Sequence, residues 1–103
     1  MTGIERIAAE RKRQIKEEGW GAWHDDSENK DDELVKAAIC YAMPEWLRKI
    51  TDEYGNTELE DTWPWDWKWW KPTPDNRIRE LEKAGALIAA EIDRLIRLED
   101  KEK

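Results

Sequence analysis

The residues best suited to chemistry in this chain are the tryptophans of one short segment, WPWDWKWWKP, at positions 63–72. Tryptophan occupies every second position from 63 to 69, so an extended backbone would place four indoles on one face. Lys68 and Lys71 are the only cations in the segment. Because an indole stacks on a nucleobase and an ammonium group attracts a phosphate, the segment could bind a nucleotide. The alternative interpretation is a Trp- and Pro-rich lid over a small helical core.

A second group of polar residues is acidic. It runs from His24 through Asp25 and Asp26, with further carboxylates up to Glu33. Clustered carboxylate oxygens suit Mg²⁺ or Mn²⁺, whereas a chain with one His and one Cys is a poor zinc ligand set. The same residues also fit a solvated acidic loop that caps the following helix.

Four charged residues lie on or beside the apolar stripes of predicted helices. Arg11 and Glu18 continue the stripe of the first helix, and Glu33 and Glu91 lie next to apolar stripe positions of later helices. A charge on a buried stripe is either paired or functional. We therefore expect these side chains to line one polar pocket, unless Arg11 only forms a salt bridge that satisfies itself.

Helical spacing of apolar residues, together with capping and breaking residues, predicts the elements that position these groups. The predicted helices span about 2–18, 32–43, 44–51 and 75–98. Thr2 and Glu5 fit a capping box at the first helix, and Gly19 is suited to end it. Pro44 breaks the second helix and can begin the third. By composition, the segment 20–32 and the long Trp-rich segment 52–74 are expected to be loops.

The last helix carries a heptad seam, because its apolar residues alternate three and four apart. The seam consists of Ile78, Leu81, Gly85, Ile88, Ile92 and Leu95. One short partner helix cannot cover a seam of this length, and a bundle of this size has little core. We therefore expect the chain to form a homo-oligomer that buries one face of this helix against its copy.

Composition limits the fold class and the partners. A chain of 103 residues forms one domain, here 1–103. Its net charge of -7 disfavours nucleic acid and an anionic membrane as partners, and no stretch approaches the ~20 apolar residues of a membrane span. The single Cys40, expected to be buried and inert, fits a reducing cytoplasm. We predict an all-α fold: a small bundle of three to four helices with a long Trp/Pro-rich insertion before the last helix.

Five segments together resemble a family of short proteins encoded by phages and prophages. They are IERIAAERKRQIKEEGW, HDD, DELVKAAICYAMPE, WPWDWKWWKP and RIRELEKAGALIAAEIDRL, and they span nearly the whole chain. This resemblance implies a phage source rather than an activity.

A weaker likeness is to the all-α MazG-like nucleotide pyrophosphohydrolases. It rests on an ER-x-RQ helix that is followed by Gly, Trp and His, and on an alanine-rich acidic last helix. The likeness implies hydrolysis of a nucleoside triphosphate with Mg²⁺ as the cofactor. The metal ligands would then be Asp25, Asp26, Glu33 and Glu91. The chain departs from that family, since neither its E-x-x-E pair nor its E-x-x-D pair falls on a predicted helix.

A small helical phage protein with aromatic and cationic residues also resembles the phage proteins that sequester nucleotide signals of bacterial immunity. That resemblance implies binding of a cyclic nucleotide or a cyclic ADP-ribose-like signal in the host cytoplasm, without catalysis or cofactor, which counteracts antiviral defence. The expected ligand-binding residues are Arg11, Glu18, Trp20, Trp23, His24, Trp65, Trp67, Lys68, Trp69 and Lys71. The alternatives are the Mg²⁺-dependent hydrolase, a protein-binding inhibitor and a structural phage component.

Overall fold

The computed structural model describes residues 1–102, which form six α-helices and one 3₁₀ turn. The helices are α1 (Gly3–Glu17), α2 (Ala22–Glu28), α3 (Glu33–Ala42), α4 (Glu45–Arg48), α5 (Glu58–Thr62) and α6 (Arg77–Lys101), and the 3₁₀ turn is Trp67–Trp69. The predicted all-α fold class is confirmed. None of the helices in this range is long and apolar enough to cross a membrane.

The helix ends follow the local signals of the sequence. The Thr2 hydroxyl accepts a hydrogen bond from the Glu5 N–H at 3.2 Å, and the Glu5 carboxylate accepts one from the Thr2 N–H at 2.9 Å. Gly19, two residues beyond α1, has a φ of 75°, which is left-handed and which glycine adopts readily. Pro44 separates α3 from α4. These predictions are confirmed. Each could be made from the sequence because it depends on only a few neighbouring residues.

Two segments predicted as loops contain helices. Segment 20–32 contains α2, and segment 52–74 contains α5 and the 3₁₀ turn. Residues 1–102 therefore form more α-helices than the predicted three to four. A second capping box, formed by Thr57 and Glu60, begins α5. Helices this short are unstable alone, and α2 is held in place by tertiary contacts with α6. The third and fourth predicted helices also shift, since α4 ends at Arg48 and α6 continues to Lys101.

The central helix is α6, against which both α1 and α3 pack. The core consists mostly of small side chains of α3 and α6 with one indole: Leu34, Ala37, Ala38, Cys40, Tyr41, Trp63, Ala84, Leu87 and Ala90. Further aromatic rings, those of Trp20, Trp65 and Trp70, cover this core. Several tryptophans therefore supply the volume that the small helical residues lack.

The first helix turns polar side chains, rather than its apolar stripe, toward the interior. Glu10 and Gln14 are 3% and 2% exposed, whereas Ile4 is 83% exposed. The Glu10 carboxylate is paired with Arg13 at 2.8 Å and with Arg79 of α6 at 2.7 Å. The expectation that the apolar stripe of α1 faces the core is wrong for Ile4, whereas Ile7 of the same stripe does pack against α6. The polar side can be buried because these ion pairs satisfy the Glu10 charge.

The heptad seam of α6 also faces away from the core. Its large side chains, Ile78, Leu81, Ile88, Ile92 and Leu95, are between 46% and 59% exposed. The buried side of α6 consists instead of Glu80, Ala84, Ala86, Leu87, Ala90, Glu91 and Arg94. Small alanines on this side allow close packing, and the charges have partners within the chain. The rest of the described residues therefore leave the large side chains of the seam about half exposed.

A buried carboxylate links α6 to α4. Glu80 is 2% exposed and accepts hydrogen bonds from Arg48 at 2.9 Å, from Arg77 at 3.2 Å and from the Thr73 N–H at 3.1 Å. Burial alone would raise the pKa of Glu80, but these bonds and the Arg48 charge lower it more, so the pKa lies below the usual 4.5. Burial likewise raises the pKa of Glu10, but the hydrogen bonds and charges of Arg13 and Arg79 lower it more, so this pKa is also below its usual value.

These lowered carboxylate pKa values predict acid sensitivity. A group whose pKa is depressed by folding stabilises the fold above its unfolded pKa, and this contribution is lost as the pH falls through the folded pKa. We expect the free energy of unfolding, measured by urea denaturation, to fall as the pH decreases below about 4.5. Glu80→Gln should make this pH dependence shallower. Stability that stays level in acid would contradict the prediction.

Candidate functional site

The Trp-rich segment is not extended but folds back in a 3₁₀ turn. The Asp66 carboxylate begins this turn by accepting a hydrogen bond from the Lys68 N–H at 2.9 Å. Trp63 is 8% exposed, and its ring meets that of Trp65 edge-on at 5.5 Å. Trp67 lies outside and stacks on Trp63 at 6.1 Å. The expectation that the four alternating indoles share one face is therefore wrong.

Tyr41 of α3 anchors this segment. Its ring lies 4.7 Å from that of Trp70 and 5.9 Å from that of Trp63. The Tyr41 hydroxyl accepts a hydrogen bond from the Lys71 N–H at 3.1 Å. Lys83 of α6 donates to the Lys71 carbonyl at 2.8 Å and places its ammonium group 5.4 Å from the Tyr41 ring centre. These contacts fix the segment between α3 and α6.

Indoles from two distant parts of the chain form a cleft, which we call the Trp cleft. It has a volume of about 220 Å³ and is lined by Trp20, His24, Asn29, Leu34, Trp65, Asp66 and Trp69. The rings of Trp20 and Trp65 lie 6.1 Å apart at an angle of 43°. The Trp65 indole N–H donates to the Asn29 side chain at 3.2 Å, and Asn29 is 2% exposed. The wall of the cleft is therefore held by a buried hydrogen bond.

A smaller cavity of about 40 Å³ adjoins the Trp cleft and shares Trp20, Trp65 and Trp69 with it. Its other lining residues are Glu10, Arg13, Gln14, Glu18, Tyr41, Trp63, Lys71, Lys83 and Leu87. The Gln14 Nε2 donates to Glu10 at 3.2 Å, but its buried Oε1 has no hydrogen-bond partner among residues 1–102. This oxygen is available to a donor group of a ligand or to water.

The rim of the site is cationic although the chain is acidic. The ammonium groups of Lys68 and Lys71 lie 5.5 and 5.9 Å from the centre of the Trp69 ring. Both lysines are exposed, and neither forms an ion pair with a carboxylate in the described part of the chain. Inside the smaller cavity, burial lowers the pKa of Lys83. The two cavities thus combine aromatic walls with two lysines that form no ion pair within residues 1–102, and Asp66 and Glu18 also line them.

Most of the predicted ligand-binding residues meet at these two cavities. Those that line them are Glu18, Trp20, His24, Trp65, Trp69 and Lys71, with Lys68 at the rim. Trp23 is 81% exposed on α2 and Trp67 is 49% exposed, and neither lines the cavities. Arg11 is placed apart as well. It donates to the Trp20 carbonyl and to Asp25, both at 3.1 Å, so the salt bridge expected as the alternative does form, but its buried Nε has no hydrogen-bond partner among residues 1–102.

The carboxylates predicted to hold Mg²⁺ under the hydrolase alternative are not brought together. Their partners are Arg11 for Asp25, Arg97 for Asp26, the Asp31 N–H for Glu33 and Arg94 for Glu91. Within residues 1–102, no group of three or more His, Cys, Asp or Glu side chains is suited to a metal ion. The expectation of one polar pocket shared by Arg11, Glu18, Glu33 and Glu91 is likewise wrong.

Several residues of the site were missed in the sequence. They are Glu10, Arg13, Gln14, Asn29, Leu34, Tyr41, Trp63, Asp66, Lys83 and Leu87. The sequence did contain one indication of these residues. Glu10, Gln14 and Glu18 recur at every fourth position, so they form a polar stripe on one face of α1. Lys83 gives no comparable signal, since only the fold places it beside the Trp-rich segment.

Cys40 cannot serve the site as a nucleophile. It is fully buried, and burial raises the pKa of its thiol to about 11. The thiol is therefore protonated near neutral pH, whereas the thiolate is the reactive form. The prediction that Cys40 is buried is confirmed.

No protein-family model, curated protein or solved structure matches this chain. The function is therefore inferred from the chemistry of the two cavities and their rim.

Proposed function

We propose that the chain binds a small nucleotide-type molecule in the Trp cleft and holds it without chemical change. The observation that carries this proposal is the convergence of Trp20, Trp65 and Trp69 around a cavity of about 220 Å³. Stacking of a base on an aromatic side chain contributes about 1–3 kcal/mol. The cavity is several times larger than the roughly 30 Å³ taken by one water molecule, so it has room for a base-sized group.

Polar atoms at the edge of the cleft suit the hydrogen-bonding edge of a base. The His24 side chain is 37% exposed, and its Nδ1 lies 3.5 Å from the Asp25 carboxylate. The unpartnered Oε1 of Gln14 supplies a buried acceptor in the adjoining cavity. Leaving such an acceptor without a partner costs about 1–3 kcal/mol. A ligand that donates an N–H there would recover part of that cost.

The lysines at the rim suit a phosphate. The ammonium groups of Lys68 and Lys71 lie over the Trp69 ring, so a base that packs against this indole from within the cleft would carry its phosphate toward two ammonium groups. The net charge of -7 opposes the approach of a long polyanion. A compact ligand with one or two phosphates therefore fits the site better than a nucleic acid strand.

The side chains of the site favour retention over hydrolysis. The acidic residues considered for Mg²⁺ are occupied by arginines or by backbone groups, and the thiol is buried. Together with the resemblance to phage proteins, this supports a role in which the chain binds and sequesters its ligand. The ligand would be a cyclic nucleotide or a cyclic ADP-ribose-like immune signal, and its sequestration in the host cytoplasm would counteract antiviral defence.

A retention assay tests this proposal. The chain is incubated with nucleoside triphosphates, cyclic nucleotides and cyclic ADP-ribose derivatives in the presence of Mg²⁺. Unbound molecules are removed by filtration, the protein is denatured, and both fractions are analysed by chromatography. We expect one class to be retained and recovered intact, and not to be retained by protein that was denatured before mixing.

The other outcomes are equally informative. Conversion of a triphosphate or a signal to a product would show that the chain is an enzyme rather than a sequestering protein. If no molecule of the panel is retained or converted, the nucleotide proposal is wrong, and a protein partner becomes the next candidate.

A further inference from the structure

We infer that the exposed seam of α6 packs antiparallel against the same seam of a second copy of the chain. We call this surface the α6 seam and define it by Gly85 and the five large side chains of Ile78, Leu81, Ile88, Ile92 and Leu95. Each of these side chains is about half exposed, between 46% and 59%. The inference concerns a surface away from the Trp cleft and does not depend on the proposed ligand.

The length and apolar area of the α6 seam fit an interface. A helix of 25 residues is about 37 Å long. At about 30 Å² for each methyl or methylene group, the five half-exposed side chains present on the order of 300 Å² of apolar surface. A standard interface buries about 800 Å² from each partner, so neighbouring helices must contribute as well.

The first helix supplies such a neighbour. The Ile7 side chain lies against Gly85, where an added Cβ would be 2.5 Å from the Ile7 Cδ1. Ile7 therefore fills the place of the side chain that Gly85 lacks in the seam. Ile4, one turn earlier on α1, is 83% exposed. The apolar surface thus continues from α6 onto α1.

The seam is self-complementary when two copies run antiparallel. It is symmetric about the midpoint between positions 86 and 87, so Ile78 would face the partner's Leu95 and Leu81 would face the partner's Ile92. At the centre, Gly85 with its covering Ile7 would face the partner's Ile88. Each apolar side chain then meets an apolar surface of the other copy, as knobs-into-holes packing requires.

Charge favours the antiparallel order over the parallel one. The seam position after Leu95 is Glu99, which is exposed. In a parallel pair, Glu99 would lie beside the partner's Glu99, and like charges repel. In an antiparallel pair, Glu99 would lie near the amino end of the partner's α6. That end carries the positive pole of the helix dipole, whereas Arg77 there already pairs with Glu80 of its own chain.

Sedimentation equilibrium of the full chain tests the self-association. We expect a dimer, and we expect Ile88→Lys to raise its dissociation constant by about 100-fold or more, because the charge would be buried without a partner. Ile88 is 48% exposed in the single chain, so the variant should keep its helical circular dichroism. Trp46→Lys is the matched control, since Trp46 is exposed on α4, outside the seam, and should leave the dimer intact.

Disulfide formation tests the order of the helices. Ile78→Cys and Leu95→Cys are prepared separately, and the fully buried Cys40 does not compete. Oxidation of a mixture should give the disulfide between the two variants, and neither variant alone should cross-link. A wild-type chain that stays monomeric, or a dimer that Ile88→Lys leaves intact, would overturn the inference. Cross-linking of either variant by itself would overturn the antiparallel order.

Discussion

Replacing Arg48 with Met is expected to lower the free energy of unfolding by about 3–5 kcal/mol. The Arg48 guanidinium is buried and donates to Glu80 at 2.9 Å. It also donates to the carbonyls of Cys40 and Tyr41, at 3.1 Å each, where α3 ends. Its removal takes the Arg48 donor from the Cys40 carbonyl, leaves the Tyr41 carbonyl with Arg77 alone, and removes one of the cations that neutralise Glu80. The loss is large because these groups are buried from water.

Urea denaturation followed by circular dichroism measures this effect. Lys49→Met is the matched control, because Lys49 is the next residue and its pair with Glu45 is exposed. An exposed pair contributes little, so the control should change stability by less than about 0.5 kcal/mol. Arg48→Met combined with Glu80→Met should cost less than Arg48→Met alone, since no buried charge then lacks its partner. Equal losses for Arg48→Met and Lys49→Met would show that the buried pair does not hold α3 to α6.

Trp69→Ala is expected to weaken ligand binding by roughly 5- to 150-fold, which corresponds to about 1–3 kcal/mol of stacking. Trp69 lines both cavities, and Lys68 and Lys71 lie near its ring. It does not belong to the core cluster and is 43% exposed. The substitution should therefore reduce affinity more than it reduces stability. Isothermal titration calorimetry measures the change, with the panel member that the wild-type chain retains.

Trp67→Ala is the matched control for this prediction. Trp67 is the same residue type, two positions away and similarly exposed, but it stacks on Trp63 and lines neither cavity. We expect Trp67→Ala to bind the ligand with wild-type affinity. If Trp67→Ala weakened binding as much as Trp69→Ala, the ligand would lie on the outer face of the Trp-rich segment rather than in the Trp cleft.

The two cavities show how far residue types alone lead toward a site. Tryptophan and lysine were recognised as stacking and phosphate-binding groups because these properties belong to the side chains themselves. Which tryptophans line the Trp cleft depends on the 3₁₀ turn, which places Trp69 at the cleft and Trp67 outside it. Lys83 and Gln14 join the site only through the packing of α6 and α1.

The sequence by itself determined the all-α class, the capping box of α1, the left-handed Gly19 and the break at Pro44. Each of these is set by a few neighbouring residues, whose backbone preferences and capping hydrogen bonds act locally.

The tertiary structure alone decided which side of α1 and of α6 is buried. Glu10 can be buried because Arg79 lies close to it, and Glu80 because Arg48 does, and both pairs join residues that are far apart in the chain. Helical periodicity identifies an apolar stripe, but it does not show whether that stripe meets the chain's own core or remains exposed. Which side is buried depends on the free energy of all the packed helices together, including the ion pairs that lower the free-energy cost of burying a polar side.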